Sequence, residues 1–440
     1  METVDRAIQL LGLGHNILIT GGAGTGKSYT LRKLLKWADE ENKNMARTAL
    51  TGMASLQFEM GETLHRCTGI GMGKSKDDLR GIVNSWRFRN ETRWELAVID
   101  VLIVDEISML RSDTLELIDE LLKYVNGNKE PFGGLQVIFS GDFMQLPPIV
   151  KPEERALFNN RGQWAFQSDV WNELDLKIIY LEEIKRQKDK RFSMALNMIR
   201  AGAINEAVDS YFFNTYKNQP PEGIEPVKLL STNDEVNRVN SKRLEKIDQK
   251  LETYKATITG LNDKLKDKIR RDTSAMETLD LKPGAQVMIL NNSPNREFVN
   301  GSMGEYLEMA EVEIEELGEM VKRKVAVVRV LESDTIVYIP KHDWKIEKKD
   351  DKGNRTTLAS FVQFPIKLGW AITVHKSQGM TIDYLQVDLT RCFAEGMAYV
   401  ALSRARNYEG LNIVNWRAGA VRCNKEAFQF YMDLKNKGEI

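Results

Sequence analysis

The chain has 440 residues, 42% hydrophobic and 28% charged, and a formal net charge of −1. That size and balance suit an ordinary globular protein of roughly two to four domains, and the near-zero charge leaves only local basic tracks as routes to nucleic acid. No apolar run approaches a membrane span, no signal or transit segment opens the chain, and three scattered cysteines (Cys67, Cys392, Cys423) argue against a disulfide framework or a Cys-rich zinc site. The expectation is a protein without membrane contact in a reducing cytoplasmic compartment.

The first predicted strand is the apolar run 16–20, and a helix-like segment follows at 28–38. Between them Gly21-Gly22-Ala23-Gly24-Thr25-Gly26-Lys27-Ser28 fits G-x-x-x-x-G-K-[ST]. Small residues there let the backbone N–H groups of Gly22, Ala23, Gly24, Thr25 and Gly26 wrap phosphates at a helix N-terminus. Lys27 is placed to reach the β- and γ-phosphates and the Ser28 hydroxyl to ligate Mg²⁺. The chain is expected to bind a nucleoside triphosphate, with ATP the default.

Further β-rich runs at 46–50, 98–104, 135–140, 177–181, 227–230, 384–389 and 411–414 alternate with helical segments, which predicts doubly wound α/β layers with mostly parallel strands. Between about 241 and 365 the pattern breaks. A charged helix-like stretch (241–271) leads to Lys282-Pro283-Gly284 and to runs at 285–290, 324–330 and 335–339 that read as a small antiparallel barrel. The expected layout is a first α/β domain over 1–175, a second over 176–240 plus 365–440, and a helical and β-barrel module over 241–364 inserted in the second. The basic stretches 185–191 and 264–271 read equally well as nucleic-acid tracks and as solvated helix faces, and 311–319 is acidic.

Two strand ends carry polar groups suited to phosphate chemistry. Val101-Leu102-Ile103-Val104-Asp105-Glu106 ends in paired carboxylates. On a strand neighbouring a phosphate loop, Asp105 suits Mg²⁺ held through water, and Glu106 suits polarising an attacking water. The run 137–140 leads into Gly141-Asp142-Phe143-Met144-Gln145-Leu146-Pro147-Pro148, where prolines stiffen the backbone behind Gln145.

The phosphate loop, DEISM at 105–109, GDFMQLPP at 141–148, TVHKSQGMTID at 373–383 and AYVALSRAR at 398–406 occur in the order found in superfamily-one helicases. The segment 117–136, with its PFGGLQ ending, resembles the signature of PIF-type 5′-to-3′ DNA helicases, and the similarity continues through 281–288 and 299–304. The resemblance implies an α/β fold of two RecA-like motor domains with ATP between them, a small inserted β-barrel module, and single-stranded DNA across the motor. It implies that Gln145 senses the γ-phosphate and that Arg186 and Arg404 reach it from the second motor domain. Gln378 and Gly379 are assigned by it to the nucleotide. Thr51, Thr63 and His65, and on the facing side Thr373, His375 and Lys376, are assigned to the DNA backbone. Residues 66–90 stand where such helicases carry a strand-separating insertion, in which Trp86 and Phe88 have the shape for base stacking, while Trp94, just before an apolar strand, reads better as core.

The chain departs from the family in one respect. The upstream Gln that reads adenine has no evident counterpart, since Val4 or Asp5 stands near its place and Gln9 lies too close to the loop. No long extension is expected on either side of the motor, and so no targeting or regulatory domain. Partners implied are single-stranded DNA and DNA junctions, with a monomeric motor of cytoplasmic, nucleoid-associated location serving genome maintenance. Three alternatives stand beside this reading. They are a helicase of the RecD or Dda type, a DNA-stimulated ATPase that translocates without separating strands, and a phosphate-loop kinase of a small molecule.

Overall fold

The computed structural model describes residues 2–440 apart from 56–57, 59–60, 72–73, 87, 152–153, 155–157, 159–161, 223, 274, 294–296, 299–300, 317–318, 332 and 350–354. Parts of the expected insertion (72–73, 87) and of the 299–304 motif therefore lie outside the described residues. The chain divides into two compact units, Met1–Gln219 with Val387–Ile440, and Pro220–Gln386.

The first unit is built on a six-stranded sheet. Its strands are β1 (Ile17–Gly21), β2 (Met45–Ala49), β3 (Glu62–Thr63), β4 (Val101–Asp105), β5 (Gln136–Gly141) and β6 (Lys177–Leu181), in the order β3-β2-β4-β5-β1-β6. Every pairing is parallel, with Ile17 opposite Ile138, Ile103 opposite Ile138, and Ile17 opposite Lys177. β1 and β4 are buried along their whole length, which is why they read as continuous apolar runs and not as alternating ones. β5 lies between β1 and β4, so Asp105 ends a strand one place removed from β1 and not its immediate neighbour. The three carboxyl ends nonetheless share one edge of the sheet, where α/β folds bind ligands.

Two expected boundaries shift. β6 was expected to open the second motor domain, but its Ile17–Gly21 partner is the strand that carries the phosphate loop. The C-terminal stretch also belongs to the first unit. Its helix Lys425–Asn436 starts where the Asn424 side chain accepts the Ala427 N–H, and it buries Ala427, Tyr431 and Leu434 in the core that holds Phe139, Phe143, Trp164 and Trp171. Phe430 stacks on Phe166 with ring centroids 4.5 Å apart.

In the second unit β7 (Val227–Leu230) pairs in parallel with β18 (Ala371–Thr373). The stretch expected as one charged helix, 241–271, is broken: a helix (Asn233–Glu245) ends, strands β8 (Glu252–Lys255) and β9 (Thr257–Gly260) follow, and a second helix runs over Asp263–Asp272. The alternating residues of Thr-Ile-Thr and Glu-Thr-Tyr-Lys give period-two faces that the overall charge had masked. β8 pairs with β10 (Thr278–Leu281). β11 (Ala285–Ile289), β12 (Met303–Glu316), β13 (Glu319–Val330), β14 (Thr335–Pro340) and β17 (Ile366–Leu368) form an antiparallel sheet in the order β14-β13-β12-β11-β17. β15 (His342–Lys349), β16 (Arg355–Gln363) and β9 form a further antiparallel sheet. Leu281, Val287, Ile289, Tyr306, Val328, Ile339 and Phe364 pack in one core. Of the acidic stretch expected at 311–319, residues 311–316 and 319 lie on the paired strands β12 and β13, and 317–318 lie outside the described residues.

Candidate nucleotide site

The phosphate loop leaves β1 at Gly21 and enters the helix Lys27–Glu40 through Gly26, whose φ of 102° is the left-handed conformation that a side chain disfavours. Gly24 is needed for space: a Cβ there would lie 2.6 Å from Cβ of Arg186. Its carbonyl accepts the N–H groups of Lys185 (2.7 Å) and Arg186 (3.1 Å), so the loop apex holds the segment that carries Arg186. Thr25 Oγ1 donates to the Gly22 carbonyl, and Lys27 Nζ donates to the carbonyls of Gly21 (2.8 Å) and Gly22 (2.9 Å). Burial lowers the Lys27 pKa, and the charges of Asp142, Glu106 and Asp105 oppose that. Ser28 follows on the first turn of the helix.

Asp105 ends β4, buried. Glu106 follows with φ 58°, an unusual conformation for a glutamate that turns its carboxylate out of strand alternation. Burial and then the adjacent Asp105 push the Glu106 carboxyl up to about 7, against the charges of Lys27 and Arg404. A carboxylate poised near neutrality is what a general base requires.

Asp142, at the end of β5, is fully buried and meets Arg200 twice, Nε at 3.1 Å from Oδ2 and Nη2 at 2.8 Å from Oδ1. Tyr431, from the C-terminal helix, places its hydroxyl against Asp142 Oδ1 (3.3 Å), the Phe143 N–H (3.2 Å) and Thr20 Oγ1 (2.6 Å), and the Arg200 guanidinium lies 4.7 Å from the centre of its ring. Burial alone would raise the Asp142 pKa; the charge and hydrogen bonds of Arg200, with the charge of Lys27, hold it below the usual carboxylate range. The stability this gives is present above the ordinary carboxylate pKa and is lost as pH falls through the depressed one. Arg200→Ala leaves a buried carboxylate without its ion-pair partner and is expected to cost about 3–5 kcal/mol in a urea unfolding titration. A loss under 1 kcal/mol (roughly the worth of an exposed pair) would show that water reaches Asp142.

The helix Met397–Leu402 begins at Gly396, φ 71°, where a Cβ would strike the Gln145 carbonyl oxygen at 2.2 Å. It is thereby pressed onto the turn that holds Gln145, itself buried. Past its end, the Ser403 carbonyl accepts Arg186 Nη1 (2.9 Å) and Gln187 Nε2 (3.3 Å), and the Ala405 carbonyl also accepts Gln187 Nε2 (2.8 Å). Arg404, 1% exposed, donates Nε to the Val400 carbonyl and Nη2 to Ser403 Oγ. Burial pushes the pKa of both arginines down, and the Glu106 charge acts on each in the opposite sense. Lys27, Asp105, Glu106, Gln145, Arg186 and Arg404 are therefore all in the first unit, around one loop.

The remaining expected residues are distributed between the units. Thr51, Thr63 and His65 lie in the first, where Thr51 Oγ1 accepts the Ala54 N–H, Thr63 precedes the short helix Leu64–Thr68, and burial lowers the His65 pKa. Thr373, His375, Lys376, Gln378 and Gly379 lie in the second. Thr373 Oγ1 accepts the Lys376 N–H, burial lowers the His375 pKa, and Gly379 has φ 78°. A threonine whose oxygen caps a turn keeps its O–H free to donate, the chemistry a phosphate accepts. In the expected insertion Phe88 is buried and Trp86 is 68% exposed; beyond it Trp94 is 67% exposed, so the reading of Trp94 as core is wrong.

Sequence reasoning missed Asp142, Arg200, Tyr399 and Tyr431 as members of the site. Asp142 and Tyr399 lie inside motifs already singled out. Arg200 and Tyr431 lie outside any motif, and nothing local in the sequence marks contacts made across 58 and 289 residues.

A family model for PIF1-like helicases matches residues 2–210. The chain is 33% identical to the ATP-dependent DNA helicase Pif1 of Psychrobacter sp., over 93% of this chain and 67% of the relative. It is 31% identical to the ATP-dependent DNA helicase PIF1 of Saccharomyces cerevisiae, over 98% of this chain and 61% of that relative's length. The crystal structure of a Bacteroides sp. Pif1 in complex with ADP-AlF4 superposes with a TM-score of 0.82 at 27% identity, covering 100% of this chain and 98% of the other.

Proposed function

Because the chain belongs to the PIF1-like helicase family, we propose that it is an ATP-driven motor that moves 5′-to-3′ along single-stranded DNA and separates duplex ahead of it. The observation that carries this reading is the gathering of Lys27, Glu106, Arg186 and Arg404 around one phosphate loop. In the proposed mechanism Lys27 leaves the Gly21 and Gly22 carbonyls to meet the β- and γ-phosphates. Glu106, as the carboxylate, takes a proton from the attacking water. Arg404 and Arg186 oppose the charge that grows on the transferred phosphoryl group, and Gln145 contacts the γ-phosphate.

Ser28 and Asp105 are the residues that would hold Mg²⁺, which when bound neutralises phosphate charge. Among the described residues no cluster of three or more His, Cys, Asp or Glu could hold a metal. One serine hydroxyl and one carboxylate suit an ion that takes its other ligands from phosphate oxygens and water. Gln378 and Gly379 are proposed to meet the same nucleotide. ATP is the proposed fuel, although Val4 and Asp5 offer no amide at the place of the adenine-reading Gln.

Thr51, Thr63, His65, Thr373, His375 and Lys376 are proposed to hold the DNA backbone. Hydroxyls and cations on phosphates grip a strand without reading its sequence. A monomer acting on single strands and DNA junctions, in the cytoplasm at the nucleoid, in replication, repair, recombination or telomere maintenance, is the wider role that similarity to the family supports.

The test is strand displacement from duplexes with a 5′ or a 3′ single-stranded tail, with and without ATP. ATP-dependent displacement from the 5′ tail alone is expected. Displacement from the 3′ tail alone would reverse the proposed direction. ATPase stimulated by single strands, with no displacement at any protein concentration, would make the chain a translocase.

A further inference from the structure

We propose that Tyr399 is a positioning residue that competes with the γ-phosphate of ATP for the Ala23 N–H, so that ATP, and not ADP, must displace it. The inference rests on the nucleotide site proposed above and adds how that site tells one nucleotide from the other. Tyr399 is 3% exposed, and its hydroxyl accepts the Ala23 N–H at 2.7 Å. A Cβ on Gly22 would come within 3.2 Å of the same oxygen, so the phenol closes over the start of the loop. Lys27 Nζ lies at this end too, on the Gly21 and Gly22 carbonyls. The amine that reaches the β- and γ-phosphates and the phenol thus converge on the γ-phosphate end. The β-phosphate is the group that N–H groups at the start of the helix Lys27–Glu40 are suited to hold, whereas the Tyr399 hydroxyl is bonded to the earlier Ala23 N–H.

The phenol sits on a short, tightly held element. Its helix starts against Gln145 at Gly396, and within a few residues the same segment presents the Ser403 carbonyl that anchors Arg186, and then Arg404. Burial, and then the Asp142 charge, keep the hydroxyl protonated by raising its pKa, so it stays a neutral, exchangeable partner for the N–H. Displacing it transmits the arrival of a γ-phosphate to the segment that carries Arg404 and anchors Arg186 through the Ser403 carbonyl. ADP leaves the Ala23 N–H with Tyr399.

Tyr399→Phe keeps the ring and removes the competitor. Binding of ADP and of a non-hydrolysable ATP analogue, each with Mg²⁺, is read from the ligand-dependent rise in Tm, which reports only protein that folds. The analogue is expected to bind the variant roughly two- to tenfold more tightly than wild type, the worth of one hydrogen bond, with ADP affinity unchanged. Analogue and ADP shifting together would make Tyr399 a structural residue. Weaker analogue binding by the variant would make the phenol a ligand of the γ-phosphate. Either result overturns the competition. Wild type that binds neither nucleotide would remove the nucleotide site itself, a failure distinct from an unchanged selectivity ratio.

Discussion

Lys27→Ala is expected to lower ATP turnover by roughly 10²- to 10³-fold or more, the effect of removing a positioned charge from a developing phosphoryl transition state. The amine donates to the loop carbonyls, and the charges of Asp142, Glu106 and Asp105 attract it in competition with the cost of removing it from water. Alanine cannot replace that charge, and it leaves three acids with less to oppose them. A second consequence follows: without Lys27, the Glu106 carboxyl rises further, so any residual activity moves to higher pH. Single-stranded DNA binding should remain measurable, weakening with added salt as phosphate contacts release counterions. Turnover near wild type in a steady-state phosphate-release assay would take Lys27 out of the mechanism.

The parts of this site that could be read from the sequence are those whose chemistry is local. The strand-loop-helix passage from Ile17 to Glu40 is set by an apolar run, small residues and a helical spacing of Thr30, Leu31, Leu34, Leu35 and Ala38. The Asp105–Glu106 pair announced itself by ending a buried strand. What was illegible depends on long-range packing. β6 looks like any short apolar strand, and only its pairing with β1 places it in the first sheet. The charged composition of 241–271 hid the two strands β8 and β9, whose partners lie in later β-segments. Trp94 precedes an apolar run and so reads as core, yet it stands on the outer face of its helix while Leu96 turns in. The Asp142–Arg200–Tyr431 group joins three separate elements, and no spacing in the chain encodes it.

Glu106→Gln is the second large expected effect. The substitution keeps size and hydrogen bonding but removes the group that accepts a proton, so turnover should fall by about 10²- to 10⁴-fold while ATP still binds. The pH profile carries the sharper signature. With its carboxyl held up to about 7, Glu106 is half protonated near neutrality. Wild-type kcat/KM should therefore rise as pH is raised through about 7 and level off above it, since only the carboxylate is a base. Burial also raises the Asp105 pKa, and the charge of Asp105 helps to hold the Glu106 carboxyl up. In Glu106→Gln that rise should vanish from the remaining activity. A variant that keeps both its turnover and the wild-type pH slope would assign the base elsewhere.

The account's central claim is that Lys27 and the guanidinium groups of half-buried Arg186 and buried Arg404 act on the same phosphoryl group. Transition-state analogues bind more tightly than ground-state ligands where a site complements the transition state. The most direct measurement is therefore the affinity of wild type and Arg404→Ala for ADP alone and for ADP with aluminium fluoride, which mimics the phosphoryl group in transfer. Loss of a transition-state arginine predicts at least about a hundredfold weaker binding of the fluoride complex, with ADP affinity within about twofold of wild type. Equal losses for both ligands, or none for either, would place Arg404 outside the reacting site and contradict the account.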